Sequence, residues 1–181
     1  MVVLLLADGF EEIEALATVD ILRRCSIDVK TASIKTGLEV LGAHNISVKA
    51  DVLLNDVLSE DFDAVILPGG MPGTNNLQDS SSVNKLFMDA YEKGKLVAAI
   101  CAAPKVFGAK GILNGRKATC FPGFEDELSG AELVKEKVAV DGNVITSKGA
   151  GTAHDFAFEI AKWLGKKEEA EKVRASMQYD V

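Results

Sequence analysis

Short unbroken apolar runs alternate along this chain with longer stretches whose apolar residues recur every three or four positions. Val2–Leu6 is such a run, closed by Asp8-Gly9, and reads as a strand buried on both faces. Residues 11–25 carry Ile13, Leu16, Ala17, Val19, Ile21 and Leu22 among charges, which is helical spacing. Residues 28–34 alternate and predict a second strand, and residues 37–54 a small hairpin or irregular strands. Asp63–Leu67 is a buried strand stopped by Pro68-Gly69-Gly70. Residues 82–93 predict a helix, Lys95–Ile100 a strand, and 105–110 a short helix after Cys101-Ala-Ala-Pro104. Lys117–Cys120 predicts a short strand. Val138–Val140 and Val144–Thr146 flank Asp141-Gly-Asn143 as a tight hairpin. Residues 152–164 and 167–176 predict two closing helices.

This alternation predicts one α/β domain over residues 1–181, with helices on both faces of a mainly parallel sheet. In open sheets of this kind ligands bind beyond the carboxyl ends of the strands. Asp8–Glu14, Pro68–Gly73 and Cys101–Pro104 all fall there.

Charge narrows the partners. The chain carries 20 basic and 27 acidic residues, a net charge of −7, with no basic patch interleaved with aromatics. That balance argues against nucleic acid or an anionic membrane as a partner. The apolar start is too short for a membrane span and lacks the basic leader of a signal peptide. Cys25, Cys101 and Cys120 are odd in number and widely spaced, without Cys-x-x-Cys, so neither a disulfide framework nor a structural zinc site is expected. A reducing cytoplasm fits. His44 and His154 sit in no metal-ligand spacing, and no metal is expected.

Cys101 is the leading candidate for chemistry. It follows an apolar strand and precedes small residues and Pro104, a proline suited to the first turn of a helix. A thiol near a helix N-terminus gains from the dipole and unpaired amides, which predicts a lowered pKa. The layout is that of a nucleophile elbow with cysteine in place of serine. Spacing alone equally allows an inert cysteine closing a core strand. Gly69 and Gly70 let backbone approach a ligand, and the Gly70 and Ala102 amides could receive an oxyanion. Alone, the pair also fits a plain turn. Glu11, Glu12 and Glu14 open a helix where acids are expected for dipole reasons, but Glu14 lies three residues after Glu11 and is placed to turn inward. Beside a thiol it would tend to hold its proton and could shuttle it. His44 and His154 are each open to a role as general base or as surface or capping residues.

Together these segments resemble the DJ-1 branch of the ThiJ/PfpI superfamily over nearly the whole chain. The matching motifs, in order, are Asp8-Gly-Phe-Glu-Glu-Ile-Glu14, Val19-Asp-Ile-Leu-Arg-Arg24, Leu67-Pro-Gly-Gly70 with Asn75-Asn-Leu77, Ala98-Ala-Ile-Cys-Ala-Ala-Pro104 and Thr146-Ser-Lys-Gly-Ala-Gly-Thr152. The resemblance implies a flavodoxin-like three-layer sandwich that pairs as a homodimer. It implies a reactive Cys101, a protonated partner in Glu14, an anion pocket at the Gly70 and Ala102 amides, and a basic residue, Arg24, near that pocket at the dimer interface. Three departures stand out. Ala102, Ala103 and Pro104 occupy the places where peptidase relatives carry histidine, so a Cys-His protease dyad of that kind is absent. Phe121 stands where other members of this branch have a histidine before the proline. His44 falls where some members have a second arginine.

Two functions follow as expectations. One is a cofactor-free glyoxalase or deglycase that converts a small α-oxoaldehyde such as methylglyoxal, or an early adduct of it, to a hydroxy acid. The other is an oxidative-stress sensor or chaperone-like protective protein, since an accessible thiol of low pKa is also the one most readily oxidised.

Overall fold

The computed structural model describes residues 1–179. Strand β1 (Val2–Leu6) lies in the interior of a seven-stranded sheet. Its unbroken apolar run has the reason expected: Val2, Leu4 and Leu6 enter one hydrophobic core, while Val3 and Leu5 enter another on the opposite face. Helix α1 (Glu12–Arg24) leads to β2 (Val29–Ser33), which pairs parallel to β1. A two-stranded antiparallel hairpin, β3 (Glu39–Leu41) and β4 (Ser47–Lys49), stands apart from the main sheet. The chain then gives β5 (Val52–Leu53) and the single turn α2 (Leu54–Val57).

Strand β6 (Ala64–Leu67) pairs with the other side of β1. Helices α3 (Gly73–Asp79) and α4 (Ser81–Glu92) connect it to β7 (Leu96–Ile100), and α5 (Pro104–Gly108) follows. Short strands β8 (Lys117–Ala118) and β9 (Glu132–Leu133) pair parallel to each other. The hairpin of β10 (Val138–Asp141) and β11 (Val144–Ser147) docks on β7 through β11. Helices α6 (Ala153–Trp163) and α7 (Lys167–Ser176) close the fold.

The strand order is β10-β11-β7-β6-β1-β2-β5, with β10 the one antiparallel member. Set aside the two edge strands and the parallel core reads 2-1-3-4-5 in chain order, the flavodoxin-like arrangement. Helices α1, α6 and α7 cover one face, and α2, α4 and α5 the other, which makes three layers. On α4 the buried residues Val83, Leu86, Phe87 and Ala90 follow the three-and-four spacing of a helix with one core face. Ser80 caps it, accepting the Val83 N–H. On α1 the buried stripe is Ala15, Thr18, Val19, Ile21 and Leu22, whereas Ile13 and Leu16 face outward. The pattern read as one apolar face is therefore two.

Four elements depart from the sequence reading, which predicts neither the single turn α2 nor the short strand β9. Helix α3 escaped it because Gly-Thr-Asn-Asn is poor in helix formers, and the helix rests on its place after the β6 turn rather than on propensity. The strand expected over 117–120 stops at Ala118, since Thr119 instead donates its N–H to the buried Thr146 hydroxyl.

Candidate active site

Order reverses at β1, where the chain first crosses to β2 and then to β6, and the loops beyond the carboxyl ends of β1, β6 and β7 converge there. Cys101 ends β7 in a turn with φ +66°, the left-handed region that residues other than glycine seldom occupy. Its N–H donates to Ser147 O at 2.9 Å and its carbonyl accepts the Phe121 N–H at 2.9 Å. Fixed at both ends, the backbone holds the strained angle, and the partly exposed thiol stands clear of the strand. The site gathers the three loops predicted for it.

Glu14 reaches the same point from the first turn of α1. Glu11 caps that helix by accepting the Glu14 N–H at 2.7 Å. The cap sets the rotation of the turn, so Glu14 points inward at 1% exposure. Its Oε2 accepts the Gly69 N–H at 2.8 Å, while Oε1 is buried without a hydrogen-bond donor among the described residues. Gly69 is glycine for want of room: a Cβ there would lie 2.6 Å from Cys101 Cβ and 2.7 Å from Glu14 Oε2. Gly70, at φ +88°, has a second reason, because a Cβ would strike the backbone of Gly9 and Glu11.

The carboxyl and the thiol form a coupled pair. Burial first, aided by the charge of Glu11, raises Glu14 to about 7, against the opposing hydrogen bonds of Cys101 and Gly69. Burial and the Glu14 charge push the Cys101 thiol up to about 12, although the Ala102 and Gly70 amides donate toward the sulfur and favour its anion. The lowered thiol pKa expected from a helix N-terminus is thus not found. Helix α5 begins only at Pro104 and is five residues long, and the adjacent acid outweighs it. Both groups cannot ionise together in so small a space, so the pair holds one proton between them from neutral to strongly alkaline pH.

The other candidate residues lie apart from this pair. His44 is held by buried Glu12, which accepts the His44 N–H and contacts its Nδ1, each at 2.7 Å. That ion pair raises the imidazole's pKa and does not bring it to the sulfur. Glu11, Glu12 and His44 each bring one potential ligand atom within 4.8 Å of the others, but both Glu12 oxygens are already engaged by His44. His154, in the first turn of α6, stacks on Tyr179 at 5.4 Å. Arg24 pairs with Asp20 at 2.7 Å in solvent. Ten residues of helix separate it from Glu14, about 15 Å at 1.5 Å per residue, so within one chain it does not reach the pocket. Cys25 and Cys120 are buried.

The sequence reading passed over Gly149. Its neighbours are the Phe121 ring, 3.2 Å from the position a Cβ would take, and Glu14 Oε1, 3.8 Å from it. Thr152 fixes this loop, accepting the Gly149 N–H and meeting the Ser147 hydroxyl at 2.7 Å. Its signals in the sequence were the glycines of Lys148-Gly-Ala-Gly151 and their place in the Thr146–Thr152 motif.

Comparison with known proteins settles the family. Residues 1–163 match the model of the DJ-1/PfpI family. This chain belongs to the DJ-1/PfpI family. Among DJ-1/PfpI relatives, Drosophila melanogaster protein dj-1beta is 40% identical over 171 residues, covering 93% of this chain and 91% of the relative. Arabidopsis thaliana DJ-1 homolog B is also 40% identical over 169 residues, covering 92% of this chain, but this chain spans only 39% of that longer protein. A Pyrococcus abyssi protein named a deglycase is 32% identical over 165 residues, covering 90% of this chain and 98% of its own length. The solved structure of oxidized Toxoplasma gondii DJ-1 superposes with a TM-score of 0.95 at 35% identity, covering 99% of this chain and 98% of that one. The DJ-1 fold, a mainly parallel sheet between two helical layers, is therefore shared by chains of modest identity. No helix among the described residues is long and apolar enough to cross a membrane.

Proposed function

We propose that this chain is a cofactor-free, cysteine-dependent enzyme of the glyoxalase or deglycase type, acting on a small α-oxoaldehyde or its early adducts. The observation that carries the reading is the pairing of Cys101, on its strained strand-to-helix elbow, with the buried carboxyl of Glu14. A carboxyl whose pKa is about 7 exchanges a proton with little cost in either direction near neutral pH. The deglycase name of the Pyrococcus relative agrees with this reading.

The steps follow from the groups in place. Glu14 carboxylate takes the thiol proton as sulfur bonds to the aldehyde carbon, and the oxygen anion that forms faces the Gly70 and Ala102 amides. Glu14 returns the proton to that oxygen, giving a hemithioacetal. It next removes the hydrogen on the former aldehyde carbon and delivers a proton to the neighbouring carbon, through an enediolate. One carbon is thereby oxidised and its neighbour reduced, leaving a thioester of a 2-hydroxy acid. Water adds its hydroxyl to the thioester carbon, the C–S bond breaks, and sulfur recovers its proton. Methylglyoxal would yield lactate. Cys101→Ser should lower lactate formation from methylglyoxal by about 10²-fold or more; equal rates in variant and wild type would overturn the proposal.

A second reading rests on Glu14 Oε1, buried without a donor beside a partly exposed thiol. With its proton there, the carboxyl could donate to an oxygen placed on the sulfur. Two equivalents of peroxide would take the thiolate through sulfenate to sulfinate, each releasing water. Intact-mass analysis after mild peroxide should show a 32 Da gain at Cys101; oxidation at Cys25 or Cys120 instead would exclude sensing here.

As a homodimer the chain would cover a specific face. Ile13, Leu16, Leu41 and Ile46 are exposed. The Gly9 N–H bond to Leu41 O, 2.7 Å, holds the β3–β4 hairpin beside the start of α1. A second copy seated there is also the route by which an Arg24 could approach a pocket. Ile13→Asp should convert a dimer to monomer by light scattering; a wild-type monomer would refute the assembly.

A further inference from the structure

We infer that Phe121 sets substrate choice at this site, favouring α-oxoaldehydes whose ketone carbon bears an apolar, preferably aromatic, substituent. The inference rests on the glyoxalase reading above and goes beyond it by naming the substrate class. Phe121 is 47% exposed, whereas Phe10, Phe62, Phe87, Phe107, Phe156 and Phe158 are buried in the core. Its backbone is not free to move: the N–H donates to Cys101 O at 2.9 Å, and its own carbonyl accepts the Phe124 N–H. The side chain therefore starts from backbone held directly against the residue that bears the nucleophile.

The ring lies over Gly149, 3.2 Å from where a Cβ would stand, and Glu14 Oε1 is 3.8 Å from that same point. Ring, glycine and carboxyl thus line one side of the site, where the Gly70 and Ala102 amides also face the sulfur. A substrate whose aldehyde carbon bonds to sulfur, with its oxygen toward those amides, would bring its substituent within reach of the ring beside Gly149. Any side chain at position 149 would fill the gap between them. A phenyl or branched alkyl group would stack on or abut the ring and cover its exposed surface. A hydrogen, as in glyoxal, would leave the ring in water. A charged substituent gains nothing from the ring, which offers it no hydrogen bond.

The test is the ratio of kcat/KM for phenylglyoxal to that for glyoxal, in wild type, Phe121→Leu, Phe121→Ala and Phe121→His, with Cys101→Ser subtracted as background. The expected ratio falls about tenfold from wild type to Phe121→Ala, mainly through KM for phenylglyoxal, with Phe121→Leu between them. Phe121→His should lower the preference as well, by replacing an apolar surface with a polar one. A ratio that stays within twofold across these variants, while Cys101-dependent turnover persists, overturns the inference and leaves the reading of the site intact. Absence of Cys101-dependent turnover of both aldehydes in wild type overturns the reading and the inference with it.

Discussion

Glu14 Oε2 accepts the N–H of Gly69 at 2.8 Å, joining the first turn of α1 to the loop that leaves β6. This bond fixes the carboxyl against the thiol of Cys101, which comes from a third loop. It also leaves no space at position 69, where a Cβ would sit 2.9 Å from Ile100 O as well as against both catalytic candidates. Gly69→Ala should therefore destabilise the fold by about 1–3 kcal/mol, the usual cost of overpacking a closed site. Denaturant unfolding measures the loss, and iodoacetamide labelling of Cys101 should change in the same variant. An unchanged midpoint with unchanged labelling would show that the loop yields freely.

The coupled pair makes a prediction that does not depend on which group holds the proton. Its first ionisation falls at about 7 and its second at about 12. Replacing Glu14 by Gln keeps a neutral side chain and leaves one titrating group. The thiol of Glu14→Gln must then ionise once, above the first step of the wild-type pair, because that first step sums both routes of proton loss, and below the second, because no neighbouring charge opposes it. Thiolate absorbance or the pH profile of alkylation reads the value. A Glu14→Gln thiol that ionised below the first wild-type step would break the coupling.

Stability should carry the same signature. Glu14 is raised from 4.5 to about 7 on folding, so the folded chain binds its proton more tightly than the unfolded chain. Below about pH 4.5 both states are protonated and the group costs nothing. As pH rises toward 7 the unfolded state alone gains by ionising, and stability falls; above 7 the penalty is constant. Glu14→Gln removes it while keeping an acceptor for the Gly69 N–H. The variant should match wild type near pH 4 and exceed it at pH 8 by on the order of 1–3 kcal/mol. Equal stability at both pH values would mean that the carboxyl is not desolvated.

The φ of +66° at Cys101 is also measurable. A residue with a Cβ in that region is strained by about 1 kcal/mol relative to glycine. Cys101→Gly should therefore be at least as stable as Cys101→Ala, despite glycine's larger loss of chain entropy on folding. Elsewhere along β7 the order would reverse, so Ala98→Gly serves as the control. Cys101→Gly falling well below Cys101→Ala would place the cysteine in ordinary backbone space.

Much of the architecture was legible from one dimension. The apolar run of Val2–Leu6 required burial on both sides, and α4 and α6 announced themselves by spacing, because strand and helix impose fixed periods on whatever faces a core. The order of the loops and the small residues around Cys101 marked the candidate nucleophile for the same local reason: a tight turn excludes side chains. Three things were decided only by tertiary structure. Helix α3 has weak propensity and exists because the chain must return from β6. The thiol's proton affinity follows from burial and from Glu14, 87 residues away in sequence, and not from the helix that follows Cys101. Arg24, in a matching motif, and His44, in the place of an arginine of some relatives, lie outside the pocket of one chain, since a helix carries residues ten apart to opposite ends and an ion pair with Glu12 holds the imidazole elsewhere. Periodicity specifies which face a residue turns to the core; burial and electrostatic coupling depend on what the rest of the chain brings to meet it.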